Sequence, residues 1–358
     1  MENRVKWIDT AKFLGIFAIY LGHFGSSAGF AYPFVFSYHV AFFFLLSGCM
    51  SNYDKTSFGK FVIKKTKNIM IPFWFFCALS VLVYTLHFNL GIDVVKDSLK
   101  IIFKGCIRNE FFAASLWFLS CLFIMEILFK ILKFLKFKWV ILLVCIFSFV
   151  LAETVLDPRP IAAPSWWYNL DSALYYIIFF GIGYVSYPLI TKLFTLDTLY
   201  KKIIFAVSGV FSLVFASLVF FNSYDITTLL DKIPFIRLFS PVVRALIIIW
   251  LNLIVAKTIE NISLLNQIGQ NTLYLCGSEY ISKAFISLFL GLVGLNITVS
   301  YPLQAFIYSF ILLLFGWKVL APLEKRAITK INQLLTIKSP VLWKKSKSNI
   351  NSQKNEPN

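Results

Sequence analysis

Apolar runs of about 20 residues recur along this chain, separated by short polar connections. A helix rises about 1.5 Å per residue, so a run of that length crosses a hydrocarbon layer of about 30 Å. The pattern predicts ten such helices, at 10–28, 34–52, 69–90, 113–132, 138–154, 170–190, 202–221, 236–256, 271–291 and 300–320. The expected fold class is therefore all-α, a polytopic membrane protein of about ten transmembrane helices. Residues 1–324 are expected as one membrane domain. Residues 325–358 are expected as a basic, disordered cytoplasmic tail held near anionic lipid by its Lys residues.

Composition agrees with that pattern. Of 358 residues, 59% are hydrophobic, 14% are charged and 40 are Phe, more apolar material than a soluble domain of this size can cover. The net charge of +17 raises the question of nucleic acid, but its placement answers otherwise. With the N-terminus inside, alternate connections carry 23 Lys and Arg on the inner side against 7 on the outer side. That asymmetry places both termini in the cytoplasm. The outer connection at 91–112 is the exception: it carries four cations with Asp93, Asp97 and Glu110, and reads as a solvated amphipathic stretch. The first segment has the outline of a secretory signal, yet Asp9 and Lys12 lie too close to its apolar core, so a retained helix is expected.

Polar residues inside the apolar runs carry the functional information, because each is expensive in a bilayer unless it lines a polar interior. Lys12 and His23 are eleven residues apart, close to three helical turns, so they share one face about 16 Å apart along the axis. Asp9 precedes Lys12 by one turn on that face. His39, near the outer end of the second segment, is expected at a depth similar to His23. Imidazole titrates near neutral pH and is the natural general base. For His39, a satisfied interhelical hydrogen bond remains an equal alternative. Glu279 and Lys283 form an i,i+4 pair in the ninth segment, Arg244 lies in the eighth and Glu126 in the fourth. A polar cavity joining Lys12 to His23 would account for them together; structural ion pairs are the competing reading for Glu126 and Lys283.

Other features narrow the choice. Six cysteines show no CxxC or metal-ligand spacing; five lie in apolar spans and Cys106 in an outer connection, so neither a disulfide framework nor a metal site is expected. The connection at 154–169 ends in Trp166, Trp167 and Tyr168, which read as headgroup-level anchors or as a lid that stacks on sugar rings. No internal repeat is visible, which weighs against a secondary transporter.

Five blocks in order carry a resemblance. WIDTAKFLGIFAIYLGH, SYHVAFFFLLSG, KKTKNIMIPFWFF, LWFLSCLFIMEIL and FFGIGY resemble successive segments of membrane acyltransferase family 3, of the polysaccharide O-acetyltransferase or fucose 4-O-acetylase-like kind. The resemblance implies ten core helices and transfer of an acetyl group from cytoplasmic acetyl-CoA to a sugar hydroxyl of a surface or capsular polysaccharide, or its lipid-linked precursor. It implies that His23 is the essential histidine and Lys12 its paired cation, with His39 on a second family histidine. Two departures stand out. Many members have Arg where this chain has Lys12, and Lys lacks the bidentate fork. In NTLYLCGSEYI, Glu279 takes a place often held by His, so either a carboxylate acts there or the position is not catalytic.

The expected catalytic set is His23, Lys12, His39 and Glu279. Lys12, Lys64, Lys65 and Arg244 are the expected contacts for acetyl-CoA, the acyl donor, and no metal is expected. The expected partners are acyl-CoA, a glycan acceptor and the lipid bilayer, with no nucleic acid. Composition favours a bacterial plasma membrane. A polysaccharide transporter or flippase using the same buried charges is the alternative function.

Overall fold

The computed structural model describes residues 4–51, 56–88, 91–221, 233–295 and 298–337. The expected tail at 338–358 lies outside them. The described residues are all-helical: α1 (Lys6–Gly22), α2 (Ala31–Phe36), α3 (His39–Cys49), α4 (Phe58–Lys65), α5 (Ile71–Phe88), α6 (Ile92–Phe103), α7 (Trp117–Leu132), α8 (Lys138–Thr154), α9 (Leu170–Leu193), α10 (Leu199–Phe220), α11 (Pro234–Thr258), α12 (Ser263–Gly269), α13 (Thr272–Gly277), α14 (Glu279–Leu292), α15 (Pro302–Phe315) and α16 (Ala321–Ile337). The outside of the bundle is apolar. On α10, Val207, Val210, Phe211, Leu213 and Val214 are all exposed, an apolar surface of the kind that faces lipid.

Among the described residues, six helical stretches are long and apolar enough to span a membrane: Ala31–Cys49, Phe58–Phe88, Trp167–Leu193, Leu199–Phe220, Ile236–Thr258 and Pro302–Leu335. The remaining four expected spans differ in form. The helices α1 and α8 have 17 residues and α7 has 16, about 25 Å of rise, short of a full hydrocarbon thickness. The ninth expected span, 271–291, is broken at Ser278 into α13 and α14. The expected helix at 10–28 ends at Gly22 and gives way to a 3₁₀ turn over Gly25–Ala28. The expected helix at 34–52 is divided by a turn at Ser37–Tyr38, so His39 opens α3 instead of lying several residues into a helix. The expected disordered tail is also corrected in part, because α16 stays helical to Ile337.

Proline explains two irregularities. The helix α4 runs into α5 through a π segment at Thr66–Met70, and α15 runs into α16 through one at Gly316–Leu320. Each wide turn ends two residues before a proline, Pro72 or Pro322. The proline ring lacks an N–H and would crowd the carbonyl four residues back, so the backbone there loops out before resuming α geometry.

The helix α1 runs through the middle of the bundle, packed against α3, α11, α12 and α15. Two glycines set a close crossing between α3 and α9. A Cβ on Gly48 would strike the Phe180 carbonyl, and one on Gly183 would strike the Leu45 carbonyl. Small residues at such a crossing let backbones meet, which is how helices gain contact where lipid removes the hydrophobic drive.

The long connection before α9 is also ordered. Asn169 is buried in a left-handed conformation (φ 57°, ψ 38°); its amide donates to Ser120 Oγ (3.0 Å) and the Gly105 carbonyl (3.2 Å), and its oxygen accepts from the Arg108 N–H (2.9 Å). Asp171 accepts from the Ser165 and Trp166 N–H groups at 2.7 and 3.1 Å. Trp166 and Trp167 remain exposed, as headgroup anchors require. The helix α6 is the expected amphipathic stretch, with Lys96–Asp93 and Lys100–Asp97 pairs at 3.0 and 2.9 Å. The bonded Lys100 ammonium holds the Asp97 carboxyl below its usual range. Cys106, expected to face outward, is instead fully buried with its Sγ 3.6 Å from Cys77 Sγ, because the turn after α6 folds inward under Asn169.

Candidate active site

His23 caps the C-terminal end of α1, where its backbone N–H still reaches the Ile19 carbonyl at 3.0 Å. The chain then turns away through Gly25, leaving the imidazole at the rim of the bundle. Across from it, the break at Ser278 restarts the helix with Glu279 as the first residue of α14. The two meet: His23 Nδ1 lies 2.6 Å from Glu279 Oε2. The other carboxylate oxygen, Oε1, accepts from Lys283 Nζ at 2.7 Å, one turn along α14. Lys283 also reaches the His23 carbonyl at 3.5 Å and lies over the Phe24 ring at 4.9 Å. Glu279 is only 3% exposed, whereas the side chains of His23 and Lys283 are 17% and 28% exposed. The carboxylate is therefore sealed in, and the two nitrogen bases reach outward from it.

They open onto a cavity of about 300 Å³. Its floor is His23, Glu279 and Lys283; its walls include Tyr32, Phe36, Phe112 and Tyr280. An ionised carboxylate accepts only, so the contact at Nδ1 places a proton on that nitrogen and leaves Nε2 of a neutral ring as the acceptor. This is the arrangement in which a carboxylate orients a histidine for general-base work. The walls supply flat apolar faces suited to stacking on the C–H faces of a sugar.

Other expected site residues lie elsewhere. Lys12 is three turns down α1 at the opposite end of the bundle, 3.9 Å from Asp9 Oδ1. Asp9 is buried there, also meeting Arg4 at 3.4 Å and Gln270 Nε2 at 3.1 Å, and α12 is pressed onto its backbone at Gly269. Lys12 and His23 thus share a helix but not a contact cluster. His39 is buried, its Nδ1 2.7 Å from the Val35 carbonyl and its ring edge-on to Phe36, with centroids 4.9 Å apart. It belongs to the wall behind the cavity. Lys64 is exposed on α4, while Lys65 pairs with Glu126 at 2.6 Å, which accounts for that buried carboxylate. Arg244 lines a second cavity that shares Phe36 with the first, so it stands at the His23 end and not beside Lys64 and Lys65.

Sequence reasoning paired Glu279 with Lys283 but not with His23, because the two are 256 residues apart and the break at Ser278 carries no proline signal. Tyr32, Phe36, Phe112 and Tyr280 were lost among many aromatics. Among the described residues, no group of His, Cys, Asp and Glu could hold a metal ion.

A helical bundle with an apolar outside and a histidine bonded to a buried carboxylate beside an aromatic cavity is the geometry of a candidate membrane-enzyme site. The family comparison is more definite: residues 5–321 match the acyltransferase domain of membrane acyltransferase family 3, and the chain belongs to that family. No curated protein and no solved structure matches it.

Proposed function

We propose that this membrane acyltransferase moves an acetyl group from acetyl-CoA to a hydroxyl of a cell-surface or capsular polysaccharide, or its lipid-linked precursor, at a bacterial plasma membrane. The observation that carries this reading is the His23–Glu279–Lys283 cluster on the floor of a sugar-sized aromatic cavity.

In the reaction, the acceptor hydroxyl donates its proton to His23 Nε2 while its oxygen attacks the thioester carbonyl. The new C–O bond forms, negative charge gathers on the carbonyl oxygen, and the C–S bond then breaks. The departing thiolate takes the proton back from the imidazolium, so His23 ends as it began. Glu279 holds the ring in the reactive tautomer and balances the imidazolium charge, and Lys283 keeps the carboxylate in place. With the Lys12 end in the cytoplasm, Lys12, Lys64 and Lys65 lie where donor phosphates would arrive, and their charge attracts an anion even where each is also paired.

Purified protein given labelled acetyl-CoA and candidate oligosaccharides tests the proposal. Label should appear on the glycan, and His23→Ala should abolish it while leaving membrane expression unchanged. A flippase would leave the donor intact, and label retained with His23→Ala would remove this histidine from the chemistry.

A further inference from the structure

The cavity around Arg244 has no part in the steps above. It measures about 160 Å³, the share of about five water molecules, and is lined by Tyr38, Tyr175, Tyr176, Ile161, Pro241 and Arg244. Phe36 stands between it and the His23 cavity and lines both. The same ring lies against both histidines, with centroids 4.9 Å from His39 and 6.3 Å from His23. The two cavities thus adjoin at one aromatic side chain.

Arg244 differs from four other cations set among the helices. Lys12, Lys65, Lys257 and Lys283 each meet a carboxylate, at 3.9, 2.6, 2.5 and 2.7 Å. Among the described residues the Arg244 guanidinium has no ion pair or hydrogen bond, and its Nε is buried without a partner. An uncompensated cation inside an apolar bundle is costly. A planar fork of N–H donors is also the group best matched to a phosphate or carboxylate. The wall opposite is held in place: Arg108 donates to the Pro160 carbonyl and to the Ile161 carbonyl (3.0 Å), fixing the loop that contributes Ile161.

We propose that this cavity is an anion subsite of the acceptor groove, taking a phosphate or carboxylate carried by the glycan whose hydroxyl enters the His23 cavity. The inference rests on the glycan-acyltransferase reading. It adds that the natural acceptor is acidic and is recognised one sugar unit or less from the reacting hydroxyl. The cavity adjoins the His23 cavity at Phe36, so an acceptor seated in one can place its anion in the other.

Binding without donor tests the subsite independently of turnover. Detergent-purified wild-type protein is titrated calorimetrically with a neutral disaccharide, the same disaccharide bearing a phosphate, and the same bearing a uronic acid. At least one charged probe should bind about tenfold or more tightly than the neutral one, as expected for a charge-assisted hydrogen bond. Arg244→Gln should erase that preference without altering neutral-probe binding or the melting temperature, and Arg244→Lys should restore part of it. The preferred probe tells phosphate from carboxylate. Equal binding of charged and neutral probes, or a preference that survives Arg244→Gln, would overturn the subsite. So would Arg244-dependent displacement of the charged probe by phosphatidylglycerol, but not phosphatidylcholine, nanodiscs, which would assign the cavity to a lipid headgroup. Failure of the labelled-acetyl assay would instead strike the catalytic reading and leave these titrations interpretable.

Discussion

Replacing Glu279 with Gln tests the site most sharply, because the amide keeps the shape of the carboxylate and changes only its bonding capacity. Two donors face this residue: His23 Nδ1–H at 2.6 Å and the Lys283 ammonium at 2.7 Å. The carboxylate serves both; an amide has one oxygen and one NH₂ and can serve only one. An ammonium cannot become an acceptor, so the amide oxygen turns to Lys283 and the NH₂ turns to Nδ1. The imidazole must then carry its proton on Nε2, the nitrogen that has to receive one. Recovering the reactive tautomer breaks a charge-assisted bond and leaves a donor pair opposed in a nearly sealed site, about 3–5 kcal/mol together. That corresponds to a loss of about 10²–10⁴ in kcat. Acetyl transfer by the purified variant should fall by that factor, with the donor KM unchanged and the melting temperature within a few degrees of wild type. A kcat within about tenfold of wild type would refute the orienting role of Glu279.

Further outcomes follow from the same structure. Lys283→Met should lower kcat about tenfold by freeing one oxygen of Glu279, and Lys283→Arg should recover part of it, measured in the same assay. Gly183→Ala should cost about 1–3 kcal/mol or prevent accumulation, since the new methyl meets the Leu45 carbonyl; detergent melting checks this, with Gly291→Ala, whose methyl meets nothing within 4 Å, as control. Asn169→Ala should lower the melting temperature, at a cost of about 2 kcal/mol or more from lost buried hydrogen bonds. Asn169→Gly should be milder because glycine accepts the left-handed backbone.

What could be read from the residues alone followed their cost. His23 announced itself because an imidazole in an apolar run demands a reason, and Glu279 because a carboxylate stood in a block where His is usual. Their contact was not legible. Periodicity describes neighbours within a helix and cannot join α1 to α14, and the run from 271 to 291 looks unbroken because Ser278 is no stronger a stop signal than other serines. The surroundings of His39 were hidden for the same reason. Equal depth on adjacent helices was a fair expectation, but a turn at Ser37–Tyr38 rotates the side chain back onto Val35. Hydropathy likewise located apolar material well and helix ends poorly. It placed α10 within a few residues, yet merged α2 with α3, because both are apolar and only the intervening backbone differs.

The threefold cluster at the end of α1 also bears on how charge is handled in a medium that solvates ions badly. With the ring neutral, as the proposed base role requires, Glu279 and Lys283 supply one anion and one cation, a sum of zero. In the proposed reaction the floor becomes positive when the ring gains its proton, at the moment an alkoxide-like oxygen develops at the same cavity. The two changes cancel within the cavity, so the reaction proceeds without importing or expelling net charge, and the surrounding lipid scarcely registers it.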